Sequence, residues 1–156
     1  MVNRYNERPK TERLRKVMIL AGQEARKLNH AYFGTEHALL GLVREDSGIV
    51  GKILRRNFGV GIRKARNGVK ELTLPSPSES LLYGAEKLPQ TDRARRLMYH
   101  AIEEAESMGC NYVGTEHLGL SFFKDEHSII YKALTGFGVD PQDYRKAIFA
   151  KLSYAP

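Results

Sequence analysis

The sequence predicts an all-α fold: eight helices, arranged as two tandem four-helix repeats. Three observations lead there. The tetrad Gly34-Thr35-Glu36-His37 returns as Gly114-Thr115-Glu116-His117, 80 residues further on. Apolar residues recur at three- and four-residue steps along most of the chain, the period of one helix face. Nowhere is the two-residue alternation of a strand sustained. The flanks extend the repeat: Thr11 matches Thr91, Arg13 matches Arg93, Met18 matches Met98, Glu24 matches Glu104, Tyr32 matches Tyr112 and Leu40 matches Leu120. The register then slips by one, with Phe58-Gly59-Val60 answering Phe137-Gly138-Val139 and Asn57 reading as an insertion. A duplicated unit implies a duplicated site.

Each helix has a local reason. Thr11 is a cap residue followed by Glu12, a carboxylate that suits the positive end of a helix. Leu14, Val17, Met18, Ala21, Ala25 and Leu28 then mark one apolar face, which Asn29-His30 ends. Thr91 opens the matching helix, with Ala94, Leu97, Met98, Ala101, Ala105 and Met108 before Gly109. Thr35 and Thr115 are placed to cap the second helix of each repeat. Those helices carry Leu39, Leu40, Leu42 and Val43 in one copy, and Leu118, Leu120, Phe122 and Phe123 in the other. Ser47-Gly48 breaks the chain before a short third helix with Ile49, Val50, Ile53 and Leu54, answered by Ile129, Ile130, Ala133 and Leu134. The fourth helices carry Ile62, Ala65, Val69 and Leu72, then Tyr144, Ala147, Ile148 and Leu152. The last opens with Asp140-Pro141, a cap with proline at the first helical position. The chain thus divides into a polar, mobile leader (1–10), a first repeat (11–73), a Pro/Ser-rich linker (74–90), a second repeat (91–152) and a tail (153–156). Within the linker, Leu81, Leu82 and Tyr83 are apolar enough to pack.

Composition narrows the function. At 156 residues and 42% hydrophobic the chain can bury a stable core. Cys110, the single cysteine, permits no intrachain disulfide and suits a reducing compartment. No apolar run approaches the length of a membrane span, and the polar N-terminus has no signal-peptide core. The cytoplasm is expected, or an organelle such as the plastid stroma once a transit segment is removed. The net charge of +7 is uneven: residues 1–75 hold 16 Lys/Arg against 7 Asp/Glu, residues 76–156 hold 9 against 11. A basic half can attract nucleic acid or another anionic partner, an alternative function that stays open although no aromatic residues are interleaved as a stacking platform requires.

Enzyme signatures are missing. Gly51-Lys52 lacks the upstream glycine of a phosphate loop, no Gly-x-Ser-x-Gly elbow occurs, and Cys110 has no partner triad. A Glu-His dipeptide does not set two ligands on one helix face, so neither a metal nor a cofactor is expected. His37 and His117 read as packed or hydrogen-bonded groups near a helix start. Glu36 and Glu116 carry two readings. Each stabilises the helix N-terminus by about 0.3–1 kcal/mol, or each meets a cationic guest. For the second, Thr11 and Thr91 supply helix starts whose free N–H groups favour an anion.

The Thr-x-Arg start, the Ala-rich helix and the Gly-Thr-Glu-His-x-Leu-Leu-Gly-Leu run resemble the Clp N-terminal repeat domain. That is the substrate- and adaptor-receiving module at the front of Clp/Hsp100 AAA+ unfoldases. Gly34 to Glu45 is most similar to the ClpC type, and the resemblance spans about Thr11 to Leu152. It implies pseudo-twofold symmetry and a binding function without catalysis. Partners implied are a Clp/Hsp100 ATPase or Clp peptidase, with adaptors or substrate polypeptides. In some bacterial ClpC-type domains the duplicated site recognises phosphoarginine. By resemblance the ligand-binding residues here are Thr11 with Glu36, and Thr91 with Glu116. Gly119 and Ser121 depart from the pattern, replacing an expected Leu and Gly, so the helix behind Glu116 is expected to pack differently. With no AAA+ module after Leu152, the sequence reads as an excised domain or a stand-alone accessory protein.

Overall fold

The computed structural model describes residues 8–75 and 88–153. Among them are eight α-helices and no named strand: α1 (Glu12–Lys27), α2 (Thr35–Arg44), α3 (Ile49–Phe58), α4 (Ile62–Leu72), α5 (Asp92–Ser107), α6 (Thr115–Leu120), α7 (Ile129–Gly136) and α8 (Pro141–Ser153). None is long and apolar enough to cross a membrane. The expected packing of Leu81, Leu82 and Tyr83 falls outside the described residues.

Thr11 caps α1 and Thr91 caps α5, each hydroxyl accepting the backbone N–H three residues on, from Leu14 or Ala94, at 3.1 Å. Leu14, Val17, Ala21 and Ala25 are fully buried along the inner face of α1. The helix stops where Asn29 turns to φ +57°, and Gly109, at φ +71°, does the same after α5. Helix α2 is the centre of the first repeat, with every residue from Thr35 to Val43 buried. It runs back along α1 in close contact. A Cβ on Gly41 would stand 2.4 Å from the Val17 carbonyl oxygen, so only glycine lets the two backbones approach.

In the second repeat Ser121 occupies the place of Gly41. The α-helix gives out at Leu120 and a 3₁₀ turn, Ser121–Phe123, follows. Ser121 Oγ bonds back to the Leu118 carbonyl at 2.6 Å. Gly119 leaves room for Val50 of the first repeat, and Tyr144 Oη donates to its carbonyl at 2.7 Å. Both departures noted in the sequence therefore have packing consequences.

Glu24 and Glu104, matched in the repeat, are buried carboxylates that tie the first helix of each unit to its last. Arg66 of α4 grips Glu24 through Nε and Nη2, with Nε at 3.1 Å from one oxygen. Arg145 of α8 grips Glu104 at 2.9 and 3.2 Å, and Lys124 adds a third cation at 3.1 Å. Burial raises the Glu104 carboxyl, but Arg145 and Lys124 outweigh it and hold the group below its usual range. The two repeats pack together through helices α2, α3 and α4 against α5 to α8, and the segments leading into each repeat add two short parallel pairings, Lys10 with Val113 and Phe33 with Gln90. Lys10, assigned to a mobile leader from sequence, is thus anchored on the opposite repeat.

Candidate functional site

Two corrections concern the tetrad. The residues before α2 and α6 are Gly34 and Gly114, which take the N-cap position, while Thr35 and Thr115 lie inside the helix. Glycine has no side chain to cap with, and histidine does the work instead. Nδ1 of His37 accepts the Gly34 N–H at 2.9 Å, and Nδ1 of His117 accepts the Gly114 N–H at the same distance. This is the reciprocal half of a capping box, with imidazole in place of the usual Glu or Gln. The Gly-x-x-His spacing carried that signal, but preferences built on Ser/Thr caps pointed to the threonines.

The bond also fixes a tautomer. A ring nitrogen that accepts from an amide carries no proton, so His37 is protonated on Nε2. That proton goes to His30 Nδ1, 2.7 Å away. Burial, helped by the His30 charge, pushes His37 down to about 3, and burial lowers His30 as well. Both rings are neutral near pH 7. Glu36 Oε1 lies 3.7 Å from His37 Nδ1, yet an unprotonated nitrogen makes no ion pair with it. The second repeat has Cys110 at the position of His30, and His117 Nε2 is buried with no hydrogen-bond partner among the described residues.

The second correction concerns pairing. Thr11 with Glu36, and Thr91 with Glu116, do not come together. Gly41 packs at the level of Val17 and Ala21, and the two helices run in opposite directions. At 1.5 Å per residue this places Thr11 about 20 Å from Glu36, at the far end of the helical hairpin. Instead the Thr11 amide donates to the Val113 carbonyl at 3.0 Å, and Val113 N–H donates to Pro9 at 3.0 Å. The Thr91 amide donates to Phe33 at 3.0 Å, and Phe33 N–H to Pro89 at 2.8 Å. Each threonine start is therefore bonded to the residue just before the tetrad of the other repeat: Thr11 to Val113, ahead of Gly114, and Thr91 to Phe33, ahead of Gly34.

The tetrad threonines have charged neighbours of their own. Thr115 Oγ1 abuts Gly48, the N-cap of α3, beside Arg13. Arg13 donates to Ser47 Oγ at 3.1 Å and stands 3.8 Å from the buried Glu45 carboxylate, which accepts the Gly48 amide at 3.1 Å. On the other side Thr35 lines a small pocket with Arg93, Asp125 and Ser128, and Arg93 is paired with Asp125. Arg13 and Arg93 stayed out of the sequence-based site, although both belong to the repeated Thr-x-Arg start.

The two carboxylates are not alike. The side chain of Glu36 is 2% exposed and that of Glu116 is 18% exposed. Glu36 Oε2 is buried with no hydrogen-bond partner among the described residues. Burial drives its carboxyl up to about 7, against the opposing pull of its own backbone N–H. It is an acceptor without a donor, a costly arrangement unless a guest supplies one. Among the described residues no group of three or more His, Cys, Asp or Glu is disposed to hold a metal ion.

Comparison with known proteins agrees with this architecture. The profile of the Clp repeat (R) N-terminal domain matches residues 10–137 and again 90–156. The chain is 36% identical over 138 residues to the chloroplastic chaperone protein ClpC1 of Arabidopsis thaliana, covering 88% of the chain and 14% of that protein. It is 39% identical over 142 residues to a probable ATP-dependent Clp protease ATP-binding subunit of Chlamydia pneumoniae, covering 91% of the chain and 16% of that protein. The chain thus spans about one sixth or less of the length of these relatives. Among solved structures, the N-terminal domain of the ClpD chaperone of Arabidopsis thaliana superposes with a TM-score of 0.75 at 26% identity, over 92% of this chain and 94% of that one. Two overlapping family matches, which together cover residues 10–156 of one duplicated helical fold, lead to one conclusion: the chain belongs to the Clp repeat N-terminal domain family.

Proposed function

We propose that this domain is a non-catalytic receiver of substrates or adaptors in Clp-dependent protein unfolding and degradation, and that its guests carry phosphoarginine. The carrying observation is the cross-repeat pairing. At each of two places a threonine-capped start of a 16-residue helix is bonded to the residue just before the other repeat's Gly-Thr-Glu-His tetrad, Val113 or Phe33. Phosphate matches unpaired amides at a helix N-terminus, and guanidinium matches a carboxylate. Thr11 and Thr91 mark the phosphate end, Glu116 and Glu36 the guanidinium end. The partners fitting this reading are a Clp/Hsp100 ATPase or Clp peptidase, in the cytoplasm or, after the named chloroplastic relatives, the plastid stroma. Titration calorimetry with free phosphoarginine tests it. Binding is expected for the wild type and lost in Glu36→Ala/Glu116→Ala. Absence of heat with the wild type, or unchanged affinity in the double variant, removes the phosphoarginine reading.

A further inference from the structure

We infer that the two pockets are gated differently: Tyr32, stacked on His30, is a lid over Glu36, while its counterpart Tyr112 has no ring stacked beneath it and leaves Glu116 open. This rests on the phosphoarginine reading for its ligand and on geometry for its gate.

The tyrosine is matched in both repeats; the residue beneath it is not. His30 and Tyr32 stack with ring centroids 5.0 Å apart and planes 12° from parallel. Tyr32 also rests on His37 at 5.2 Å. His30 is itself held from below by the 2.7 Å bond to His37, so the clamp is a three-ring unit built into the end of α1 and the start of α2. The edge of the Tyr32 ring reaches the open face of Gly34, where Glu36 Oε1 also lies. Under this cover Glu36 Oε2 is buried and lacks a donor. In the second repeat Cys110 offers no ring to stack on and holds the Tyr112 side chain only by a hydrogen bond. Tyr112 keeps its contact with His117 at 5.7 Å, but is 44% exposed, and Glu116 beside it is partly open. A second difference lies on the rim. Leu88 is buried next to Pro89, where the first repeat has Arg8 next to Pro9, and Arg8 donates to the Cys110 carbonyl. The shut pocket is thus apolar-sided, and the open one polar.

The consequence is an ordered use of the two sites. The Glu116 pocket takes a guanidinium directly. The Glu36 pocket takes one only after Tyr32 turns aside, and the guanidinium then supplies the donor that Oε2 lacks.

Two measurements on the whole domain separate the gate from its ligand. Nitration with tetranitromethane, mapped by peptide mass, reads the lid without any guest. Tyr112 should react at least tenfold faster than Tyr32, with buried Tyr144 as the unreactive reference, and His30→Cys should bring Tyr32 to the Tyr112 rate. Equal rates in the wild type overturn the lid, as does opening by Leu88→Arg but not by His30→Cys. Calorimetry with phosphoarginine then reads occupancy. One site per chain is expected in the wild type and two in His30→Cys. Glu116→Ala should bind none, and His30→Cys/Glu116→Ala should bind one. Two equal sites in the wild type overturn the gating. A protected Tyr32 with no heat in either the wild type or His30→Cys keeps the lid but removes phosphoarginine as the guest. His30→Cys copies the residue the second repeat already uses, and its circular-dichroism melt confirms folding before either assay.

Discussion

The amide of Thr11 is bonded to the carbonyl of Val113, 3.0 Å away and three residues before Glu116. The first helix of one repeat therefore starts against the residue that leads into the tetrad of the other, and in the proposed reading each site draws on both repeats. Coupling between variants should follow this pairing. In phosphoarginine affinity, Thr11→Ala is expected to weaken binding by about 1 kcal/mol or more in His30→Cys/Glu36→Ala, where only the Glu116 site is left, and to change nothing in His30→Cys/Glu116→Ala, where only the Glu36 site is left. Calorimetry on the two triple variants makes the comparison. The reverse pattern would sink the cross-repeat site. Thr11→Ala should separately lower stability by about 1 kcal/mol through loss of the α1 cap.

Glu36 and His37 impose opposite pH dependences on folding. Glu36 keeps its proton up to about 7 in the folded state, against an ordinary 4.5. Between those values the folded chain binds the extra proton, so stability falls as pH rises, by about 3 kcal/mol at the upper end. His37 refuses a proton until about 3, against an ordinary 6.5. Between those values the unfolded chain binds the extra proton, so stability falls as pH drops. From about 4.5 to 6.5 the two slopes offset each other. Glu36→Gln removes one of them. It should be more stable than wild type by up to about 3 kcal/mol at pH 8 and near wild type at pH 4. Urea midpoints measured from pH 4 to 8 check this, and parallel profiles for the two proteins would count against a buried, raised Glu36.

The two carboxylate clamps should respond unequally to loss of their arginine. Arg66→Met leaves Glu24 buried without a described cation, at an expected cost of about 2 kcal/mol, reduced because the arginine side is one-third exposed. Arg145→Met leaves Glu104 with Lys124 at 3.1 Å and should cost less than half as much. Chemical denaturation of the two variants side by side tests the ranking. Equal losses would mean that Lys124 contributes nothing.

Two glycine-to-alanine changes should have opposite signs. Gly41→Ala drives a methyl to 2.4 Å from the Val17 carbonyl and should cost more than 2 kcal/mol. At Gly136, in the last turn of α7, a Cβ meets nothing within 4 Å, and alanine should be neutral or stabilising by up to about 1 kcal/mol. Thermal melts suffice to distinguish them.

Much of this was legible from residue order. The 80-residue echo of Gly-Thr-Glu-His, the threonine caps and the three- and four-residue apolar steps are local signals, and helices are local structures. They determined eight helices in two repeats, and the starts of α1 and α5 at Thr11 and Thr91. They did not determine which repeat completes which site. A hairpin of two antiparallel helices sends its first N-terminus and the start of its second helix to opposite ends, so the motif groups Thr11 with Glu36, while in space Thr11 is bonded to Val113, three residues before Glu116. Nor did residue order distinguish the two glutamates, which are identical in sequence and in helical position. Only tertiary structure decides that, because exposure depends on neighbours: the His30 ring stacks on Tyr32 beside a Glu36 side chain that is 2% exposed, while Cys110 gives Tyr112 no ring to stack on and Glu116 is 18% exposed.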